Sequence, residues 1–122
     1  MAKRLTDFAA WARARVRFLD GGMGTQLQAR GLQPGEVPEL WNLSRPDDIR
    51  AVHSAYVAAG ADIVYANTFG ANPAKYHGDA PLADVIAAGI AIAREAVAKA
   101  PDKTDKAVTI RLESKSLNTS SI

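Results

Sequence analysis

Apolar residues recur at helical spacing along two long stretches of this chain and gather into short unbroken runs between them, and the switch between the two patterns predicts its elements. Leu5, Phe8, Ala9 and Ala12 share one helical face, with Thr6 or Asp7 able to cap, so an amphipathic leader helix is predicted over Leu5 to Arg15. Val16 to Leu19 reads as a brief strand, and Asp20 to Thr25 as the loop at its C-terminal end. A short helical turn from Gln26 to Arg30 follows, with Gly31 as its stop. Leu32 to Asn42, "LQPGEVPELWN", holds two prolines and a glycine and is predicted to be an extended loop. Ser44 then opens a helix as its N-cap, with Pro46 in the first turn and Ile49, Val52, Tyr56 and Ala59 on one stripe, ended by Gly60. Ile63 to Ala66 carries the unbroken apolar run of a strand buried on both faces, as parallel strands are. After a loop from Thr68 to Asp79, a second long helix over Pro81 to Lys99 places Leu82, Val85, Ile86, Ile90 and Val97 on a broad apolar face. Two strands joined by a helical crossover make a βαβ unit in a parallel sheet.

Composition narrows the function classes. The 122 residues are 48% hydrophobic and 23% charged, which fits one globular domain. The longest apolar run, Val85 to Ala93, is far short of the roughly 18 residues of a membrane span, and the N-terminus does not read as a secretory signal. A cytoplasmic protein is expected, with no membrane partner. Fifteen Lys+Arg stand against thirteen Asp+Glu, scattered apart from Arg13, Arg15 and Arg17, so no nucleic-acid partner is expected. Cysteine is absent, which removes disulfides, thiolate nucleophiles and cysteine-held metals from this chain.

The candidate chemistry lies in two loops, "DGGMGT" and "NTFGAN". Both leave the C-terminal end of a predicted strand, where open α/β sheets and (β/α)₈ barrels alike build their sites. The glycines let backbone N–H groups face a small anionic or zwitterionic ligand, and Asp20 is placed to hold a cationic group. A tight turn without a ligand competes with this reading. A dinucleotide fingerprint fails, because Leu27 stands where the third glycine is required.

"LDGGMGTQLQARGL", then "PELWNLSRPDDIRAVHSAYVAAGADIVYANTFGAN" and Lys75, resemble the start of the homocysteine S-methyltransferase family, most of all the homocysteine-binding module of cobalamin-dependent methionine synthases. The similarity runs from about Val16 to Ala100. It implies an α/β fold that is the first βαβα portion of a (β/α)₈ TIM barrel, and methyl transfer to the thiol of homocysteine. It also implies that Asp20 receives the α-amino group of homocysteine, that Gly21 and Gly22 bring backbone amides to its other end, and that Asn67 and Thr68 line the same pocket. Zinc held by three cysteines, and in some members cobalamin, are implied for the family. With no cysteine here, no metal ligand, cofactor or catalytic residue is assigned within this chain. The methyl donor stays open among methylcobalamin, S-methylmethionine, betaine and S-adenosylmethionine.

A complete barrel takes roughly 250 residues. The resemblance therefore implies an incomplete barrel, unable to close alone and inactive by itself, from a truncated or frame-shifted reading frame. Residues 1–15 form the leader, 16–100 the partial barrel and 101–122 a divergent polar tail, with a third strand offered at Val108 to Leu112. The alternative is a non-catalytic fragment that self-associates through open sheet edges. Other residues have plainer readings: His53 and His77 as structural or solvated rather than a metal pair, Trp41 as packing on the next helix, Asp47 and Asp48 as first-turn carboxylates, Tyr65 as core, and Asp62 as structural.

Overall fold

Ile63, Val64 and Ala66 are all buried, and the parallel pairing of Ile63 to Tyr65 organises the rest. The computed structural model describes residues 8–74, 76–99 and 107–109. In chain order these form α1 (Phe8–Ala14), α2 (Gly24–Ala29), a 3-10 turn (Pro38–Leu40), α3 (Trp41–Ser44), α4 (Pro46–Ala58), β1 (Ile63–Tyr65), α5 (Leu82–Ala98) and β2 (Ala107–Thr109). β1 and β2 run parallel with Ile63 opposite Ala107, Val64 opposite Val108 and Tyr65 opposite Thr109. On the other side of β1, Leu19 forms a single parallel bridge with Ile63. The arrangement is helix-dominated α/β, and among the described residues the sheet is open, with no closed barrel.

The predicted strand Val16 to Leu19 is thus reduced to one bridge. Ile63 N and Asp62 N donate to Phe18 O at 3.1 and 2.7 Å, and Asp20 N donates to Ile63 O at 2.9 Å. Two glycines then interrupt the pairing, and among the described residues no strand lies along the other edge. The start of the segment is held by a side chain instead. Asp62 accepts Phe18 N at 3.0 Å and pairs with Arg15 at 2.9 Å, which makes it the structural residue its position suggested.

Other expectations are corrected. The loop predicted from Leu32 to Asn42 tightens into the 3-10 turn and the start of α3, because Pro38 presets the backbone of a helical first turn. Ser44 is not the cap of α4: it is the last residue of α3, its hydroxyl donates to Leu40 O at 3.2 Å, and Arg45 takes the cap position. On α4 the buried face is Ile49, Val52, His53 and Val57, while Ala59 lies past the helix and is exposed. In α1 only Trp11 is buried, packed with Ile63, and Phe8 and Ala9 are exposed. The cap at Thr6 or Asp7, Lys75, and the tail except residues 107–109 lie outside the described residues.

The two larger core clusters are joined along α4, and Trp11 with Ile63 makes a small third. Leu27, Leu32, Trp41, Ile49, Val52 and Ile92 make one; Val57, Val64, Ala66, Ala93 and Val97 make the other. Each fully buried aliphatic side chain contributes about 1.5–3 kcal/mol. His53 stands one turn after Ile49 and one turn before Val57, on the row that links the clusters. It is wholly buried, and neither ring nitrogen has a hydrogen-bond partner. Burial alone pushes its pKa down from 6.5 to about 4.

That depression makes His53 an acid-sensitive point. The unfolded chain binds a proton near pH 6.5 that the folded chain refuses until about pH 4, so stability is full above pH 6.5 and falls as the pH drops through this window. At 1.36 kcal/mol per pH unit the loss approaches roughly 3 kcal/mol. Asp20, whose carboxyl is raised by burial, works in the opposite direction, and the lowered pKa values of the partly exposed Asp48 and Glu95 cost stability only at still lower pH. Urea denaturation of the wild-type chain between pH 7 and pH 4.5 should show this slope, and His53→Leu should flatten it. Parallel pH profiles for the two would exclude His53 as its source.

Candidate functional site

The first strand end delivers Asp20 into a setting that does not fully satisfy it. Its Oδ2 accepts the Tyr65 amide at 3.2 Å, whereas Oδ1 is buried and has no hydrogen-bond partner. Burial raises its pKa, and the amides of Tyr65 and of Asp20 itself only partly oppose this. A desolvated carboxylate with one idle oxygen favours a cationic donor.

The glycines after it answer to a neighbour within the chain. Neither Gly21 nor Gly22 has a positive φ, in contrast to Gly31, Gly35 and Gly60, so backbone handedness does not explain them. A Cβ on Gly21 would lie 2.7 Å from Tyr56 Oη and 2.8 Å from Tyr56 Cε1. The Tyr56 hydroxyl donates to Gly22 O at 2.9 Å. What comes close to this loop is the ring of α4.

At the end of β1, Thr68 is wholly buried and its Oγ1 has no partner. Asn67 is different: its Nδ2 donates to Pro38 O and to Asn42 Oδ1, both at 3.0 Å. Its side chain ties the strand end to the 3-10 turn and to α3. Asp20, just after the Leu19–Ile63 bridge, and Thr68, three residues past the end of β1, each present an idle, buried polar atom, while Gly21 and Gly22 offer backbone only.

Four residues that hold this site were not singled out by the sequence. Asn42, 2% exposed, donates to Asn67 O at 2.9 Å and to Val85 O at 3.0 Å while accepting from Asn67. Glu39, also buried, accepts the Gly70 amide at 2.9 Å. Gly89 sits mid-helix in α5, where a Cβ would stand 2.7 Å from Asn42 Nδ2 and 3.2 Å from Asn67 O. Tyr56 was read only as part of an apolar stripe. One signal was available: a glycine inside a strong helical pattern marks a close approach.

A cleft of about 610 Å³ opens elsewhere, among Val37, Leu40, Trp41, Leu43, His77 and Asp79, and none of the five site residues lines it. Its charged groups are exposed rather than converging in a buried pocket, so it lacks the placed polar anchors of a ligand site. His53 is sealed in the core and His77 is exposed on this cleft. Trp41 packs in the first cluster, with Arg45 stacked 3.9 Å over its ring. A thiolate-held zinc does not fit the residues present: the 122 residues contain no cysteine, and among the described residues no three His, Asp or Glu gather to hold a metal.

Gly89→Ala tests how firmly the strand end is held. Alanine gains up to about 1 kcal/mol of helix propensity. Overpacking against the Asn67 carbonyl and an Asn42 side chain locked by three hydrogen bonds costs about 1–3 kcal/mol. The clash should win, and urea denaturation should show a net loss of about 1 kcal/mol. A stabilised variant would mean that the buried amides yield.

Residues 17–112 match the profile of the homocysteine S-methyltransferase family. The chain is 43% identical to methionine synthase of Mycobacterium tuberculosis over an alignment of 101 residues, covering 73% of this chain and 8% of that protein. Methionine synthase of Mycobacterium leprae is 42% identical over 89 residues, covering 66% and 7%. The chain thus spans under a tenth of the length of these curated relatives. Among solved structures, the metallated form of the homocysteine methyltransferase MmuM from Escherichia coli superposes with a TM-score of 0.67 at 26% identity, over 89% of this chain and 44% of that one. Its oxidised form gives 0.62 at 28% identity over 79% and 37%. With its family profile matched over most of its length, the chain belongs to the homocysteine S-methyltransferase family.

Proposed function

We propose that this chain supplies the homocysteine-gripping part of a (β/α)₈ barrel methyltransferase that converts homocysteine to methionine. The observation that carries the reading is the pair of buried, unpartnered atoms, Asp20 Oδ1 and Thr68 Oγ1, at adjacent strand ends. In this reading Asp20 holds the α-ammonium group, the amides around Gly21 and Gly22 face the carboxylate, and Thr68 donates or accepts through its free hydroxyl. Asn67 supports the wall through Pro38 and Asn42. Activation of the thiol requires donors that this chain lacks, so the residues here bind and orient the amino acid, and methyl transfer requires residues beyond them.

Titration calorimetry with L-homocysteine tests this. Binding should strengthen as the pH rises through the raised pKa of Asp20, because the ionised carboxylate is the form that pairs with the ammonium group. Asp20→Asn removes a charge-assisted hydrogen bond of about 1.5–3 kcal/mol and should weaken binding at least about tenfold. Equal affinity in the two chains would sink the assignment of Asp20.

A second reading, self-association, has its own observation. Phe18 and Leu19 are 61% and 53% exposed although successive strand residues point to opposite faces, so both faces of this segment are bare. Parallel strands are ordinarily covered on both. Sedimentation from micromolar to millimolar concentration should show association that Phe18→Lys reduces. A wild-type chain that stays monomeric throughout rules it out.

A further inference from the structure

We propose that Tyr56 is a positioning residue for the glycine loop, its hydroxyl aiming the Gly22–Met23 peptide beside Asp20; the proposal rests on the homocysteine reading above. The Tyr56 ring is packed against the first core cluster, as is Met23, so the ring is anchored from behind. Its hydroxyl donates to Gly22 O at 2.9 Å. No cis peptide bond is present among the described residues, so the carbonyl and the following N–H of this unit point in opposite directions. Fixing the Gly22 carbonyl toward α4 therefore turns the Met23 N–H away from α4.

Gly21 supplies an independent observation. Its φ requires no glycine, yet any Cβ would fall 2.7–2.9 Å from the Tyr56 hydroxyl and ring. The three atoms nearest to where a side chain would begin all belong to Tyr56. Packing on the core would be served equally by phenylalanine; the hydroxyl serves the loop. Asp20 is one residue before Gly21, so an orientation imposed on Gly21 and Gly22 is passed directly to the carboxylate end of the site.

The test is Tyr56→Phe in the full 122-residue chain, which keeps the ring and removes the hydrogen bond. Three readouts are taken: melting temperature, backbone order parameters of Gly21 to Gly24, and the Kd for L-homocysteine, with Asp20→Asn as the control. The expected result is a melting temperature lowered by a few degrees at most, loop order parameters falling from about 0.85 toward 0.6, and a Kd raised about five- to tenfold, because the ligand must then order a loop that the hydroxyl had already ordered. Gly21→Ala, which displaces the ring, should raise the Kd in the wild-type background and add little on top of Tyr56→Ala. Unchanged loop order, or a loosened loop with unchanged Kd, overturns the proposal. So does a Kd that rises only together with a fall in melting temperature and no loosening of the loop. Homocysteine binding that is lost in Asp20→Asn and intact in Tyr56→Phe overturns the role of Tyr56 alone. A wild-type chain with no affinity for homocysteine overturns the underlying reading as well.

Discussion

The side chain of Asn42 is buried at the meeting point of α3, the first turn of α5 and the end of β1, and its amide is used in three directions. It donates to Asn67 O and Val85 O and accepts from Asn67 Nδ2, which in turn reaches Pro38 O. Such a network is stable only when complete, because each buried polar atom left alone costs about 1–3 kcal/mol. Completeness dictates several other features. Gly89 must lack a side chain so that α5 approaches Asn42, the 3-10 turn must present its Pro38 carbonyl inward, and Glu39 follows it to hold Gly70. Thr68, lying between Asn67 and Gly70, is carried into place without a bond to its own hydroxyl.

The two strand ends are therefore built by different means. The second is locked by buried amides, whereas the first is held by main-chain pairing with β1, the Asp62 clamp and the Tyr56 hydroxyl. Surface ion pairs such as Arg30 with Asp48 and Arg45 with Asp48 add little, since water and salt screen charges at the surface. One strand end is thus tied by buried side-chain amides and the other by main-chain and hydroxyl bonds, and the idle polar atoms are divided between them.

How much of this could be read in advance follows from the strength of each local signal. β1 and α5 were legible because an unbroken apolar run and a seventeen-residue helix leave few alternatives. Ser44 misled because a cap residue and a C-terminal helical residue look alike when Pro46 follows: Trp41 to Ser44 had already begun a turn. His53 was set beside the apolar stripe, since a polar type carries no pattern weight, yet it occupies the row between the clusters. Asn42, Glu39 and Gly89 are joined only through space, across as many as 43 residues between Asn42 and Val85, and no window along the chain contains such a knot. The place of Asp20 just after the first strand segment was legible because glycines follow it. The cause of those glycines, Tyr56, was not.

The distribution of chemistry in the chain bears on what the glycine loop is for. A loop meant to activate a thiol would bring metal donors, and the residues here do not offer them: no cysteine occurs, and His53 is sealed and held neutral down to about pH 4. What the loop does bring is a desolvated carboxylate, backbone amides and a hydroxyl one strand away. In the homocysteine reading proposed above, those groups would serve the ammonium and the carboxylate on one carbon and leave the sulfur to residues elsewhere. Recognition of the amino-acid end and activation of the sulfur end are thus physically separable, and the first can be assembled by a short parallel sheet whose strand ends are fixed independently. Asp20 Oδ1 and Thr68 Oγ1 are both left without a hydrogen-bond partner by the fold, and a buried polar atom in that state costs about 1–3 kcal/mol.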